Sequence, residues 1–464
     1  MGPHTHAVAR ISRRVRDLLR RETRDILQGG PPTVELLRPI GSEIPSDEWV
    51  FQVLDFCLQV GEVLLSSGEA AADTSATMTR LAHALGLTTV EIDITFTSIL
   101  MCCRRGRSVA PVTSMRVVRF RTTDLTRLVS VTRIVNQVLR AEIALSAAEA
   151  ALVKAVGARH PYPRWLATVG WAGLAAAVAL LLGGGPIIWL TAFVVTALID
   201  RIGRLLSRWG VPSFFLQMVG GFVASLSTLG LLAAGALPPA TDPSLVVAAS
   251  ITVLLSGLSL MGAVQDAISG HPVTAAGRAV EIALLSAGLL TGVIIALKVG
   301  LVFDLSLDPG ETVTADISRF GISTLAAAAA AALSALAGYA PLRFLAAAAV
   351  AGGIGWAAYG ALTLLHIGPV VATGLAAVLI GLASEIIDRR TTTDRHVIVL
   401  SGIIPLLPGL TAYRGFYQLA SAQDVLEGLV TITLALAIGL ALAAGVTFGQ
   451  FIARPRNPPT PEIV

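Results

Sequence analysis

Two hydrophobic patterns divide the chain near residue 164. Before that point, apolar residues recur at helical or alternating spacing among many polar ones. After it, apolar runs of about 20 residues follow one another, and a run of that length crosses the hydrocarbon core of a bilayer as a helix. The pattern therefore predicts a polytopic α-helical membrane protein that is preceded by a small α+β domain.

The N-terminal domain, expected at residues 46–164, should place helices beside a small sheet. A helix is expected from Asp47, ended by Gly68, and a second helix is ended by Gly86. Val90–Ile94 alternates apolar and polar residues, as a half-buried strand does. Further strands are expected at 98–105 and 115–120, and further helices at 125–140 and 146–156.

Residues 1–45 are expected to form a separate leader. They carry several arginines and lack the apolar segment of a signal peptide, so the following domain should stay in the cytosol. Within the leader, Ile11–Arg21 has apolar residues at helical spacing. This spacing fits either a basic amphipathic helix on anionic lipid or a solvated leader.

The rest of the chain predicts about ten membrane spans in two groups of five. The first group occupies residues 165–303, the second occupies 317–452, and a short tail covers 453–464. Several spans are rich in Ala and Gly, which let helices approach closely in lipid. The expected spans are 165–183, 186–203, 211–236, 244–263, 278–303, 317–337, 342–361, 367–388, 396–413 and 428–452.

One sequence offset relates the two groups of spans. Leu254–Ser259 aligns with Leu406–Thr411 at an offset of 152 residues, and the same offset carries each span of the first group onto a span of the second. Because each group has an odd number of spans, the second must enter the membrane in the opposite orientation. The sequence thus predicts two inverted five-helix repeats, the usual architecture of secondary transporters.

The distribution of arginines sets the expected orientation. With the N-terminus inside, ten arginines fall on the inner side of the spans and two on the outer side. Both termini are therefore expected in the cytoplasm, with the protein in the plasma membrane. The inner arginines are Arg201, Arg204, Arg208, Arg278, Arg343, Arg389, Arg390, Arg395, Arg454 and Arg456, and the outer ones are Arg319 and Arg414.

Composition agrees with this division. Apolar residues make up 54% of the chain and charged residues only 14%, which excludes a soluble enzyme, a disordered chain and a fibrous protein. Residues 1–164 hold 37 of the 64 charged side chains. Metal-ligand spacing, a Walker lysine and a basic patch interleaved with aromatic residues are all missing from the sequence. We expect no cofactor, no metal and no nucleic-acid partner.

The candidate translocation site lies in the fourth span of each repeat, where Gly and Pro interrupt the helix. Pro405 and Pro408 remove helix donors and Gly409 permits a break, so backbone groups are freed at membrane depth. Such groups suit a small zwitterion. Alternatively, the breaks only kink the helices for packing, with Asp266 and Arg414 at the interface. The expected site residues are Ser256, Gly257, Ser259, Gln265, Asp266, Pro405, Pro408, Gly409, Thr411 and Arg414.

Ionisable residues within spans are the candidates for ion coupling. Glu281 is expected just inside the fifth span, where its protonation would couple transport to protons. It would otherwise pair with Arg278 near the interface, and Asp266 is the competing candidate. Lys298 is expected to extend outward to the interface, and Glu385 lies near the inner end of the eighth span.

Several motifs resemble the threonine/serine exporter family, over roughly residues 50–452. The N-terminal motifs are Gly61–Gly68, Ala84–Leu87, Thr123–Leu128 and Ser146–Ala150, and the motif of the second membrane half is Ile404–Leu410. Two positions depart from the family pattern. Ser256 stands where the family often has proline, and Glu69 stands where a small residue is expected.

The resemblance implies a cytosolic domain followed by ten spans, and export of threonine and serine driven by the proton motive force across a bacterial plasma membrane. Related members are split into two chains and associated with export of dicarboxylates, so an exporter of succinate-like substrates is the nearest alternative. A dianion would find few cations here beyond Arg414 and Lys298, which favours a zwitterion.

A function of another class would use the N-terminal domain as a membrane-anchored hydrolase or a regulatory protein. Ser66, Ser67, Asp73 and His83 are the residues such a hydrolase would use, but they lack a nucleophile-elbow motif. Ten spans also exceed what an anchor requires. We therefore expect no enzyme and no catalytic residues. The expected partners are threonine, serine, protons and the lipid bilayer, and a homo-oligomer remains open.

Overall fold

The structure is a computed structural model that describes residues 45–105, 109–119, 124–237, 242–254, 257–305, 317–390, 395–421 and 425–453. From Asp47 onward the chain forms one compact unit. In this unit an N-terminal α+β domain packs against a bundle of long apolar helices.

The N-terminal domain contains a three-stranded antiparallel sheet between two pairs of helices along the chain. Its strands lie in the order β1-β2-β3, with Ile94 opposite Ile99 and Ile99 opposite Arg116. The elements are α1 (Asp47–Ser66), α2 (Ala71–Ala84), β1 (Val90–Thr95), β2 (Ser98–Cys103), β3 (Val112–Val117), α3 (Leu125–Leu139) and α4 (Leu145–Gly157).

Helix α1 is apolar enough to cross a membrane, but it belongs to the N-terminal domain. Its apolar face, which includes Val53 and Leu54, lies in the core that the sheet and the other helices share. Its charged residues Asp55 and Glu62 both pair with Arg116 of β3. The helix therefore has a protein partner on its apolar face and on its charged positions, and needs no lipid.

The membrane bundle follows from Arg164 to Ala453. Its helices are α5 (Arg164–Leu181), α6 (Pro186–Arg208), α7 (Ser213–Ala233), α8 (Ser244–Leu254), α9 (Gly257–Ile268), α10 (Pro272–Val302), α11 (Phe320–Ala337), α12 (Leu345–Leu364), α13 (Pro369–Arg390), α14 (Arg395–Gly402), α15 (Gly409–Ser421) and α16 (Val425–Ala453).

The number of spans agrees with the sequence. In the described part of the chain, nine single helices are long and apolar enough to span a bilayer. Two further pairs of shorter helices, each bent at a short break, reach that length and hydropathy when the two helices of a pair are taken together. Excluding α1 and counting each bent pair once leaves ten spans. The bent pairs are α8 with α9 and α14 with α15, which are the fourth spans of the two predicted repeats.

Some boundaries differ from those predicted. The fifth span begins at Pro272, six residues earlier than expected, so Arg278 lies within α10 and is only 3% exposed. Strand β3 begins at Val112, where alternating burial starts, rather than at Met115. The fourth and ninth spans run on to Ile268 and Ser421 because each continues as a second helix beyond its bend.

The same helix pairs pack together in both halves of the membrane bundle. In each half the first helix contacts the second (α5 with α6, α11 with α12), and the third contacts the last (α7 with α10, α13 with α16). Glycines permit the second contact, because a Cβ at Gly292 or at Gly449 would overlap a carbonyl oxygen of the facing helix. The packing follows the boundaries of the predicted repeats, whose inverted orientation remains a prediction.

The N-terminal domain packs on the helix ends that flank the α11–α12 connection. The backbone N–H of Leu125 donates to the carbonyl of Gly338 over 2.9 Å, and the Tyr162 hydroxyl donates to the carbonyl of Leu336 over 2.6 Å. Phe344 is buried in the same apolar core as α1. This contact ties the domain to the second half of the bundle.

A second contact ties the domain to the first half. Phe96, in the β1–β2 turn, donates its backbone N–H to the Thr274 hydroxyl of α10 over 3.1 Å. Its ring lies so close to α10 that a Cβ on Gly277 would be 2.8 Å from it. The N-terminal domain therefore contacts both halves of the bundle at once.

Candidate functional site

The second broken span has an interruption of several residues. Helix α14 ends at Gly402, a short 3-10 turn covers Ile404–Leu406, and α15 begins at Gly409 after a bend of 49°. Proline has no N–H to donate, and the Gly409 N–H donates only to the nearby Leu407 carbonyl, over 2.8 Å. This stretch therefore leaves backbone polar groups outside a regular helical ladder.

A cavity of about 1090 Å³, here called the main cavity, lies against this interruption. Both halves of the bundle line it. The first half contributes the end of α5, the start of α6 and Thr252 of α8, and the second contributes α11, α12, α13, α15, α16 and the turn Ile404–Leu406. It is large enough to satisfy backbone polar groups at membrane depth with water or a ligand. Five predicted site residues line it, namely Pro405, Pro408, Gly409, Thr411 and Arg414.

Thr252 of α8 brings the two broken spans together at the main cavity. A Cβ on Gly409 would overlap the Thr252 side chain, so glycine is what allows this contact. The Thr252 hydroxyl donates to the carbonyl of Ala248 in its own helix over 2.7 Å. The contact holds the start of α15 against the first half of the bundle.

The main cavity carries both charge and hydroxyl oxygens. Arg319, Arg414 and Glu427 line it. Ser323 and Thr431 also line it, and their hydroxyls donate to carbonyls of their own helices over 3.1 and 2.9 Å. Such hydroxyls keep lone pairs that can accept from an ammonium group, while the guanidinium of Arg414 can donate to a carboxylate.

Asp266 lies apart from the main cavity, at the far end of α9 and against the N-terminal domain. Its carboxylate is completely buried and lies 3.2 Å from Arg278 of α10. It also accepts the backbone N–H of Ala71 over 2.7 Å. Arg278 in turn donates to the backbone carbonyl of Glu69 over 3.1 Å. The backbone of residues 69 and 71, at and just before the start of α2, thus contributes one hydrogen bond to each partner of a buried ion pair in the membrane bundle.

Further charges extend this arrangement into what is here called the buried charge cluster. It comprises the buried Glu69, Asp266, Arg278 and Glu385 and the half-buried Asp73 and Arg395. Gln265 donates to Asp73 over 3.1 Å. Arg395 lies 3.6 Å from Glu385 and interacts electrostatically with Asp73 and Glu69. The cluster holds four carboxyl groups and two guanidinium groups.

The structure therefore divides the predicted site into two places. The residues of the second motif line the main cavity, whereas Gln265 and Asp266 belong to the contact with the N-terminal domain. Ser259 is half-buried on α9 and does not line the main cavity, the backbone of Gly257 begins α9, and Ser256 lies outside the described residues.

The other ionisable candidates differ in their surroundings. Glu281 is half-buried on α10 and Lys298 is exposed near the end of the same helix. Glu385 is 7% exposed and pairs with Arg395, which the sequence placed only in a loop.

Sequence reasoning missed Thr252 and Arg395 as site residues. An Arg directly before an apolar run was the available signal for Arg395.

The serines of the hydrolase alternative have structural partners. The hydroxyls of Ser66 and Ser67 both donate to the carbonyl of Val63 at the end of α1. Asp73 accepts from Gln265 of the membrane bundle. The two serine hydroxyls therefore bind the backbone at the end of α1, and Asp73 binds the membrane bundle, as residues with structural roles do.

Comparison with known proteins identifies relatives along the whole membrane bundle. A threonine/serine exporter family model matches residues 55–300, and a second, "Threonine/Serine exporter, ThrE", matches residues 322–452. A protein of Mycobacterium tuberculosis named "Probable threonine/serine exporter" is 38% identical over 87% of this chain and 77% of its own length. The "Threonine/serine exporter" of Corynebacterium glutamicum is 32% identical over 94% and 89%.

A more distant relative matches the first half. "Probable succinate transporter subunit YjjP" of Escherichia coli is 26% identical over 53% of this chain and 94% of its own length. No solved structure matches the chain significantly. All three relatives carry the name of an exporter or a transporter subunit.

The contact between Gly409 and Thr252 can be tested by adding a methyl group at position 409 and removing the side chain at position 252. Gly409→Ala is expected to lower the free energy of unfolding of the purified protein by about 1–3 kcal/mol, because its methyl group overpacks against Thr252. Thr252→Gly in the same chain removes the obstructing side chain and should recover most of that loss. The measurement is thermal unfolding in detergent of both single variants and the double variant.

The matched control is Gly230→Ala in α7, where a Cβ meets no atom within 4 Å and should not destabilise the protein. A coupling free energy near zero between positions 252 and 409 would contradict the contact.

Proposed function

Because this chain belongs to the threonine/serine exporter family, we propose that it is a secondary active exporter of small polar amino acids, with threonine and serine as its substrates. The single observation that carries the proposal is the main cavity, where the interrupted span faces charged and hydroxyl side chains. The family match and the names of the relatives support the class of solute, and the lining of the main cavity supports the proposed way of binding it.

The main cavity suits a zwitterion. Arg414 is positioned to receive the substrate carboxylate. Glu427, the hydroxyl oxygens of Ser323 and Thr431, and freed backbone carbonyls can receive its ammonium group. The side-chain hydroxyl of threonine or serine adds one more donor and acceptor, which the polar lining can satisfy.

Export of succinate is the second candidate, and the Escherichia coli relative is the observation that favours it. Two arginines, Arg319 and Arg414, line the main cavity, but Arg319 already donates to the carbonyl of Gly183 over 3.0 Å. Glu427 adds a carboxylate that would repel a dianion. The lining therefore favours a zwitterion over a dicarboxylate.

In the proposed orientation the protein lies in the plasma membrane with both termini in the cytoplasm. The N-terminal domain and the buried charge cluster then lie on the inner side, and the main cavity opens to the outside. The distribution of arginines in the loops supports this orientation.

Protons are the proposed coupling ion, and Asp266 is the proposed proton site. The buried charge cluster has four carboxyl groups and two guanidinium groups, so an added proton reduces its excess of negative charge. A proton on Asp266 would weaken its attraction to Arg278, 3.2 Å away, and loosen the contact with Ala71. Glu69, Asp73, Glu385 and Arg395 are the other charged groups of this cluster. Proton uptake is thus linked to the contact between the two domains.

The transport proposal predicts the behaviour of an Arg414→Ala variant. In cells that lack the gene and are loaded with a threonine dipeptide, wild-type protein should restore threonine efflux. Arg414→Ala should reduce that efflux about tenfold, which corresponds to the loss of one charge-assisted hydrogen bond of roughly 1.5 kcal/mol. Efflux is measured at matched membrane abundance, with succinate efflux followed in parallel.

Arg343→Ala is the control, because Arg343 is exposed and lies over the Phe344 ring away from the main cavity. Threonine efflux that does not depend on the gene would overturn the proposal. Gene-dependent efflux of succinate but not of threonine would instead support the second candidate function, export of succinate.

The coupling proposal predicts that Asp266→Asn separates efflux from the proton gradient. Asn keeps an oxygen that can accept the Ala71 N–H, but it cannot exchange a proton at that position. Threonine efflux by this variant should lose its sensitivity to an uncoupler, whereas Glu281→Gln should retain it. The reverse result, with sensitivity lost only in Glu281→Gln, would contradict the assignment to Asp266.

A further inference from the structure

A second pocket of about 300 Å³ opens in the first half of the membrane bundle. Helices α5, α6, α7 and α8 line it. Its polar lining residues are Thr196, Asp200, Arg204, Ser207 and Gln217. Its volume lies at the lower end of the range for small-molecule sites.

The second pocket and the main cavity lie at opposite ends of the same helix. Pro186 and Trp189, at the start of α6, line the main cavity, whereas Arg204 and Ser207, near its end, line the second pocket. Fifteen residues of helix separate Trp189 from Arg204, which is about 22 Å at 1.5 Å per residue. The two spaces therefore face opposite sides of the membrane.

The two spaces also use corresponding positions of the two repeats. The offset of 152 residues that aligns the broken spans carries six lining residues of the second pocket onto six lining residues of the main cavity. The pairs are Trp171 with Ser323, Arg204 with Trp356, Ser207 with Tyr359, Gln217 with Pro369, Val253 with Pro405, and Leu254 with Leu406.

We infer that the second pocket is the contracted inner counterpart of the main cavity, and that it is where small zwitterionic amino acids enter from the cytosol. In two inverted repeats, each repeat can adopt the conformation of the other, which exchanges the space that is open with the space that is closed. The structure then represents the state in which the outer space is large and the inner one small. The inference rests on the proposed function, since it assigns the entrance of the same transport pathway.

The charges of the second pocket fit such a ligand. Arg204 pairs with Asp200 and donates to Thr168 of α5. A zwitterion offers a carboxylate to the guanidinium and an ammonium group to the carboxylate, so it can take the place of each partner of this pair. The cytosolic end of the pathway would then select for both charges of an amino acid.

The experiment measures whether the two spaces open in alternation. Thr196 is 3% exposed at the second pocket, and Ser323 lines the main cavity. Both are changed to Cys in a full-length chain whose native cysteines, Cys57, Cys102 and Cys103, are replaced. Intact cells are treated with a bulky impermeant maleimide that modifies position 323, and inside-out vesicles are then prepared. The labelling rate at Thr196→Cys is measured with a small impermeant thiol reagent.

We expect the bulky group at position 323 to slow labelling at position 196 at least tenfold, because it holds the outer space open. Ser269→Cys, in the exposed turn between α9 and α10, is the control on the same side and should label at an unchanged rate. An equal rate at position 196 with and without the bulky group would overturn the inference.

A kinetic arm tests the ligand chemistry. Arg204→Gln is expected to raise the internal threonine concentration that gives half-maximal efflux about tenfold, whereas Arg208→Gln, on an exposed position one turn further along α6, should leave it unchanged. If both variants reach half-maximal efflux at the same internal threonine concentration, Arg204 does not contribute to substrate binding at the entrance.

These outcomes separate the inference from the proposed function. Alternating accessibility in a protein that exports no threonine would support the second pocket as the inner counterpart of the main cavity and contradict threonine as the substrate. Threonine export without alternating accessibility would support the substrate and contradict the assignment of the second pocket.

Discussion

The buried ion pair of Asp266 and Arg278 constrains the arrangement of the whole molecule. Both side chains are almost completely withdrawn from water, at 0% and 3% exposure. Such withdrawal costs several kcal/mol per ion unless each charge has further hydrogen-bond partners. Here those partners come from the N-terminal domain, as the N–H of Ala71 and the carbonyl of Glu69. The domain is thus part of the solvation of the pair, and this contact joins the bundle to the domain.

Interrupted helices impose the second constraint, at the main cavity. A backbone that leaves the helical ladder inside a membrane must find water, protein or substrate. The bundle meets this need by bringing Thr252 and Gly409 into contact and by leaving a space beside the interruption. Close approach elsewhere, as at Gly292 and Gly449, keeps the surrounding helices fixed. A rigid frame around an irregular segment keeps the space beside that segment from collapsing.

Periodicity and composition could predict the fold, because they report local properties. Helix α1 begins at Asp47 and is followed by Gly68 in the left-handed region, as expected, and both bends fall in the spans that Gly and Pro were expected to interrupt. The depth of a residue in the membrane and its contact with another domain are set by the fold as a whole, not by the local sequence. Asp266 therefore seemed to belong with Pro408 although it lies at the other end of α9, against the N-terminal domain. Glu69 departs from the family pattern in sequence, but only the fold shows that its backbone carbonyl accepts a hydrogen bond from Arg278.

The ion pair also distinguishes the two repeats energetically. At the repeat offset, Asp266 and Arg278 correspond to Gln418 and Val430, which cannot form such a pair. In the proposed mechanism of two exchanging states, two equivalent repeats would favour neither state, whereas an ion pair in only one repeat favours the state in which that pair is formed. Removing one partner of a buried ion pair costs about 3–5 kcal/mol. Shifting an evenly populated two-state equilibrium to 99:1 takes about 2.7 kcal/mol, half of what carries it from 1:99 to 99:1. Under the proposed function, the pair is therefore strong enough to set the resting state, and protonation of Asp266 is the proposed means of releasing it.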